Sequence, residues 1–281
     1  MSPERTPSTE GAPGAGRGAP PGLDAMVFAA GLGTRLRPLT DRTPKALVEV
    51  EGEPALGRVV RRLWRHGADR IVVNAHPFAD RVAAFLETLE AELAREAGGR
   101  GPRLLFSLEK EGPLETGGGL LRAAPFFRGD RPILLHNVDV LTDIHLGALA
   151  ARHAGSDALA TLAVQDRPSS RRLEFDDEGL LGREGERLRE PRGEARARAF
   201  AGVQVVSPRL LPLLDTIGSP PAGAGRAAGP GPAFSIVDAY LELASRGHRI
   251  GARDVTAAWF EIGTPERLEA AREAVREGKV G

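Results

Sequence analysis

Apolar and polar positions along this chain follow two alternating periods. Ala25-Met26-Val27-Phe28 is a continuous apolar run, as expected of a strand covered on both faces. Ala46-Leu47-Val48-Glu49-Val50 predicts a second, short strand. Leu56, Val59, Val60, Leu63 and Trp64 fall on one helical face, and Gly67 supplies a stop. Residues 70–74 predict a strand. Val82, Phe85, Leu86, Leu89 and Leu93 make another helical face that ends near Gly98-Gly99. Residues 104–107 and 132–136 are further apolar strands. Strands that alternate with helices predict an α/β fold with a mainly parallel sheet, right-handed crossovers and helices on its faces.

Beyond Asp157 the pattern loosens. Residues 158–164 predict a strand, 171–194 a charged, hairpin-like stretch, and 199–206 a strong strand. Residues 218–232 form a Pro/Gly/Ala loop. Ser235 is placed to cap a helix bearing Ile236, Val237, Tyr240, Leu241 and Ala244. A last helix starts near Pro265 and runs to about Val275. No hexapeptide repeats occur, so no β-helix tail is expected. Residues 1–22 are rich in Pro, Gly, Ala and Ser and hold no material for a core. They predict a disordered tail, which leaves residues 23–281 as a single domain.

Charge and composition narrow the function. With 38 basic and 38 acidic residues the formal charge is zero. That argues against a nucleic-acid binder working through a broad basic face. The absence of cysteine rules out disulfides and thiolate chemistry, and it fits a reducing cytoplasm. No apolar run approaches the length of a transmembrane helix, and the tail lacks the apolar core of a signal peptide. Only Lys45, Lys110 and Lys279 represent lysine, which draws attention to Lys45.

The chemistry concentrates just after the first apolar run, in Ala29-Ala30-Gly31-Leu32-Gly33-Thr34-Arg35-Leu36-Arg37-Pro38-Leu39-Thr40-Asp41-Arg42-Thr43-Pro44-Lys45. Two glycines let the backbone bend and approach a ligand, and successive N–H groups in such a loop favour an anion. Arg35 adds a planar fork suited to phosphate. Pro38 and Pro44 stiffen the loop, and Lys45 returns a point charge. A strand, a glycine turn and two spaced cations make a polyphosphate site. The stretch is neither a Walker A loop, since no Gly-Lys-Ser/Thr occurs, nor a dinucleotide fingerprint, since Leu36 stands where a third glycine is needed. An ordinary glycine-rich turn accounts for the glycines but not for Thr34-Arg35, Pro38, Thr40 and Pro44-Lys45 together.

This stretch resembles the signature of the sugar-1-phosphate nucleotidyltransferases, Ala-Gly-x-Gly-Thr-Arg-(Leu/Met)-x-Pro-x-Thr followed by Pro-Lys. The resemblance runs from about Leu23 to about Val275. It implies a Rossmann-like, mixed but mainly parallel sheet. It also implies transfer of a nucleoside monophosphate from a nucleoside triphosphate to a sugar 1-phosphate, with release of pyrophosphate. Ala30, Gly31, Leu32, Gly33 and Thr34 would hold the triphosphate, with Arg35 and Lys45 catalytic. Glu115-Thr116-Gly117-Gly118-Gly119, which reads as a glycine turn before a helix start at Leu120, resembles the family's base-binding segment and assigns Gly117 and Gly118 to the nucleotide.

Asn137-Val138-Asp139 follows a strand end, where open α/β sheets bind ligands. It resembles the family's Asn-Gly-Asp, with Asp139 as a Mg²⁺ ligand and Asn137 beside the sugar. Asp143 is better placed to cap the following helix. Trp259-Phe260-Glu261-Ile262-Gly263-Thr264-Pro265 resembles Trp-x-Asp-(Ile/Val)-Gly-Thr-Pro, with Glu261 in the place of the second metal ligand. Glu261 is one methylene longer than the usual Asp, and Mg²⁺ is demanding in geometry. Phe200-Ala201-Gly202 resembles a border of the sugar pocket, which assigns Gly202 there. The Glu-Lys-Pro that grips the sugar phosphate in many relatives has no counterpart, because no lysine lies between Lys110 and Lys279. Arg189, Glu190 and Arg192 are candidate substitutes. His76 reads as a packed or capping histidine, and His66, His145, His153 and His248 as surface residues.

Within the family, the chain most resembles N-acetylmuramate-1-phosphate uridylyltransferases and mannose-1-phosphate guanylyltransferase-like proteins. UTP or GTP is therefore the expected donor and Mg²⁺ the expected cofactor, with no nucleic-acid or membrane partner. Two other classes fit part of the pattern: a nucleotide-sugar-binding regulatory homologue with weak catalysis, and a glycosyltransferase of similar fold.

Overall fold

The computed structural model describes residues 23–76, 78–110, 112–218 and 233–281. The predicted tail and most of the 218–232 loop lie outside these. Along the chain run β1 (Leu23–Phe28), β2 (Glu49–Val50), β3 (Glu53–Pro54), α1 (Ala55–Arg65), β4 (Ala68–Ala75), α2 (Ala79–Glu96) and β5 (Arg103–Leu108). Then come α3 (Glu115–Ala123), β6 (Ile133–Asn137), β7 (Val140–Thr142), α4 (Leu146–Ala154), β8 (Ala160–Gln165), β9 (Arg172–Asp176) and β10 (Gly179–Arg183). The chain continues through β11 (Glu186–Arg187), β12 (Arg196–Val206), α5 (Leu210–Gly218), α6 (Ile236–Ser245), β13 (Ile250–Asp254), β14 (Trp259–Glu261) and α7 (Pro265–Arg276).

Ten strands form one sheet, in the order β11-β10-β9-β12-β6-β1-β4-β5, with β8 paired to β12 and β13 paired to β8. Strands β5, β4, β1 and β6 are mutually parallel, whereas β12 runs antiparallel to β6, β8 and β9. The architecture is α/β, with a mixed, mainly parallel central sheet flanked by helices. Every residue of β1 is buried, because alternate side chains enter opposite cores. Ala25 and Val27 join the apolar faces of α1, α2 and α4. Met26 and Phe28 join those of α3, α5 and α6. The predicted helical faces of α1 and α2 are the buried ones: Leu56, Val59, Val60 and Leu63, then Val82, Leu86, Leu89 and Leu93.

A third, smaller core gathers Leu36, Val48, Val50, Leu141 and Ile262 under Leu268, Ala271 and Ala274 of α7. It fastens the segment after β1 to the short β7–β14 ribbon, in which Glu261 pairs with Val140.

Three sequence expectations change. Residues 46–50 are not one strand: the chain makes a helical turn at Lys45–Leu47, closed by Leu47 N–H donating to the Pro44 carbonyl (2.8 Å), and only Glu49–Val50 is extended. Asp143 does not cap α4. Its Oδ1 accepts from Ala258 N–H at 2.7 Å, and His145 Nδ1 accepts from Ala148 N–H instead. His153 is not a surface residue; it is 4% exposed and pairs through Nδ1 with the Thr161 hydroxyl at 3.0 Å.

Burial pushes the pKa of His153 down from 6.5 to about 4 and does the same to His136, which is 1% exposed. Between pH 6.5 and 4 the unfolded chain binds protons that the folded chain refuses, so stability is full above that window and falls as pH drops through it. Each such imidazole contributes up to about 3 kcal/mol to this loss. Melting temperature measured against pH should therefore decline steeply below pH 6.5, and His153→Gln should flatten that slope.

Candidate functional site

The parallel strands end in register. Phe28 pairs with Asn74 on one side and Asn137 on the other. A cavity of about 440 Å³ opens at these ends, lined by Phe28, Ala30, Asn74, Pro113, Asn137 and Gly263, among others. A cleft at the carboxyl ends of parallel strands is where such folds bind ligands. The glycine loop forms one side, with Gly31, Leu32, Gly33, Thr34, Arg35 and Lys45 all lining the cavity.

Gly33 carries the bend at φ 64°. A Cβ there would lie 3.0 Å from both Lys45 Cβ and Thr40 Cγ2, so the loop closes tightly on itself only with glycine. The Thr40 hydroxyl donates to the Gly33 carbonyl at 2.8 Å. These contacts explain why the glycines, Thr40 and Lys45 belong to one motif. Among the described residues, the N–H groups of Gly31, Leu32 and Gly33 have no protein acceptor, which leaves them free for an anion.

Three charged contacts close the opposite side. Lys45 Nζ lies 2.5 Å from Asp139 Oδ2, with the two side chains only 10% and 22% exposed. Arg35 lies 3.2 Å from Glu261 Oε1, and Arg267 pairs with Glu261 Oε2. Leu36 and Ile262 are fully buried in the third core, so the residues beside them, Arg35 and Glu261, are held together across 226 positions of sequence. The Asp139 carbonyl accepts from Ile262 N–H at 2.9 Å, which sets the two acidic residues on adjoining chain segments. Gly263 completes the arrangement: a Cβ there would meet Glu261 Oε1 at 2.8 Å and Arg35 at 3.2 Å.

Two carboxylates on adjoining segments suit Mg²⁺, which takes one or two protein carboxylates together with substrate phosphate oxygens. No group of three or more His, Cys, Asp or Glu among the described residues could hold a metal ion alone. The two carboxylates would hold a metal only together with oxygens of a bound polyphosphate.

Other predicted residues stand elsewhere. Gly117 and Gly118 lie inside α3, not in a turn before it, and both donate their N–H to the Phe234 carbonyl (2.8 and 3.3 Å). Close approach explains Gly117: a Cβ would fall 2.3 Å from the Phe234 ring. Pro113, Glu115 and Thr116 line the cavity in their place. Gly202 (φ 74°) sits at an irregularity in β12 and backs Asn137, whose Nδ2 would be 3.0 Å from a Cβ. Arg189 and Arg192 are engaged elsewhere, on the β9–β10 hairpin. Arg189 grips Asp176 with two bonds of 2.7 Å, and Arg192 pairs with Glu178 at 2.9 Å. Burial would raise the Asp176 carboxyl, but the Arg189 guanidinium and the Arg192 and Glu178 N–H groups hold it well below the ordinary carboxylate range.

A different arginine emerges. The Arg167 guanidinium lies 3.7 Å over the Trp259 ring and donates to the Phe200 carbonyl at 3.0 Å. Burial lowers its pKa, while the charge of Glu261 raises it and that of Arg267 lowers it, so these three groups share one field. Arg167 and Arg267 carried no sequence signal in an arginine-rich chain.

The nucleotidyl transferase family model matches residues 24–175, more than half the chain. N-acetylmuramate α-1-phosphate uridylyltransferase of Caulobacter vibrioides is 33% identical over 90% of this chain and 97% of its own length. The protein of the same name from Neisseria meningitidis serogroup B is 31% identical over 89% and 97%. A UTP-bound UGPase from Acinetobacter baumannii shares the fold, with a TM-score of 0.69 at 18% identity, over 90% of this chain and 93% of that one. The glycine loop, the strand-end cavity and this likeness across nearly the whole chain agree: the protein belongs to the nucleotidyl transferase family.

Proposed function

We propose that the chain transfers a nucleoside monophosphate from UTP or GTP to a sugar 1-phosphate, giving a nucleoside diphosphate-sugar and pyrophosphate. The observation that carries this is the convergence of Arg35, Lys45 and the open N–H groups of the glycine loop on one cavity. A phosphate oxygen of the sugar 1-phosphate attacks the α-phosphorus of the triphosphate. The new P–O bond forms as the bond to the β-phosphate oxygen breaks, and pyrophosphate leaves. The attacking oxygen is already anionic near neutral pH, so no strong base is required. The protein's work is charge neutralisation and in-line positioning.

In this reading the N–H groups of residues 30–34 hold the β- and γ-phosphates. Arg35 neutralises charge on the departing pyrophosphate. Lys45 stands between the α-phosphate and the incoming sugar phosphate. Arg267, which pairs with Glu261, and Arg167, which stacks on Trp259 of the same strand, supply the guanidinium charge that a lysine provides in many relatives. Asp139 and Glu261 would hold Mg²⁺, which when bound clamps phosphate oxygens. The setting this implies is the cytoplasm, where nucleoside triphosphates are available.

The direct assay is pyrophosphate release with Mg²⁺ across nucleoside triphosphates and a panel of sugar 1-phosphates. Release that requires one triphosphate and one sugar supports the proposal and names both substrates. Silence across the panel, with nucleotide-sugar binding still seen by calorimetry, would make the protein a sensor instead. Arg35→Ala and Lys45→Ala should each lower turnover about 10²–10³-fold, as for other aimed charge-stabilising donors, with little change in melting temperature. Near-native rates in both would remove them from the reaction. Glu261→Asp should remain active, whereas Glu261→Gln should lose activity and need more Mg²⁺ for half-maximal rate. An unchanged Mg²⁺ requirement in the Gln variant would take Glu261 out of the metal site.

A further inference from the structure

Two of the stretches that wall the cavity are the glycine loop after β1 and the residues that lead into α3. A buried carboxylate joins them. Glu109 is 1% exposed and follows β5. Its Oε1 accepts from Asn74 Nδ2 at 2.6 Å, and its Oε2 accepts from Leu114 N–H at 2.7 Å. Asn74 in turn accepts Ala29 N–H through Oδ1 at 2.8 Å. The line of bonds therefore runs from the first residue of the glycine loop to the residue before α3.

Glu109 is itself anchored. Its N–H donates to the Ala75 carbonyl at 3.0 Å, and its carbonyl faces His76 Nδ1 at 2.7 Å. Among the described residues no Lys or Arg pairs with it, so the Asn74 amide and the Leu114 N–H serve its charge directly. Gly119 leaves room for the pair, since a Cβ there would lie 2.8 Å from both Asn74 Nδ2 and Glu109 Oε1.

We propose that Asn74 and Glu109 are positioning residues that set the separation of the two cavity walls, and with it the affinity for nucleotide. The proposal rests on the cavity being the nucleotide site. The polarity of the relay makes it testable. Ala29 N–H and Leu114 N–H both need acceptors, so a single amide between them must accept at one end and donate at the other. Glu109→Gln places a second NH₂ against either Asn74 or Leu114. Asn74→Asp sets two carboxylates against each other. The double variant Asn74→Asp/Glu109→Gln makes the pattern whole again: Asp accepts from Ala29 and from the new amide, and the amide oxygen accepts from Leu114.

Calorimetric binding of UTP and GTP with Mg²⁺, well below every melting transition, reads the effect. Each single variant should bind roughly tenfold more weakly or worse, as expected for a buried group left unsatisfied. The double variant should return to within about threefold of the native value. Native affinity in the folded single variants would overturn the proposal, as would a folded double variant that binds no better than they do. If one single variant fails to fold, the other and the double variant decide.

Amide exchange in the nucleotide-free chain gives a second, independent reading. The single variants should lose protection at the bonded amides of both stretches together, Ala29 and Leu36 in the first and Leu114, Gly117 and Gly118 in the second, and the double variant should recover both. Loss confined to one stretch would overturn the coupling. Should the native chain bind no nucleotide at all, the functional proposal falls while the exchange result still judges the relay.

Discussion

The site depends on β1 being covered on both faces and on both edges. A strand in that position cannot drift, because Ala25 and Val27 fill one core while Met26 and Phe28 fill the other. Slipping it by one residue would exchange the two sets. Its last residue is therefore fixed in register with Asn74 and Asn137 on the neighbouring strands. The chain must leave the sheet there, and it does so through a loop tight enough to need glycine at position 33. The cavity is the space beyond these aligned ends.

The third core adds what the sheet alone could not. Arg35 and Glu261 are far apart in sequence, and exposed ion pairs are weak constraints. What sets their places is apolar: Leu36 and Ile262, each beside one of them, are buried with Leu141 and the inner face of α7. The charged groups inherit their geometry from packing. The same division holds on the other wall, where Gly117 lets α3 close on Phe234 and Gly119 lets it close on Asn74 and Glu109.

Much of this was legible in the sequence, wherever the signal was local. The unbroken apolar run at residues 25–28 and the faces of α1 and α2 carried their own periodicity. The loop from Ala29 to Lys45 carried residue choices that only a tight, cationic turn requires. Structure that depends on distant partners was not legible. The glycine trio looked like a flexible turn, because nothing nearby reveals that Phe234, Asn74 and Glu109 press against a helix. Glu109 carried no local signal, because Asn74, which donates to its carboxylate, lies 35 positions away. Arg189 and Arg192 looked like phosphate ligands until Asp176 and Glu178 proved to hold them. In a chain so rich in arginine, only the tertiary structure separates those engaged on the hairpin from Arg167 over Trp259 and Arg267 on Glu261.

The central claim is that the strand ends and the third core assemble a triphosphate site from Arg35, Lys45 and the glycine loop. A crystal structure with a non-hydrolysable UTP or GTP analogue tests it most directly. The account predicts the β- and γ-phosphates within hydrogen-bond distance of the N–H groups of residues 31–34 and of Arg35, with Lys45 at the α-phosphate. Phosphates lying outside the glycine loop, or a nucleotide seated away from the strand ends, would contradict it.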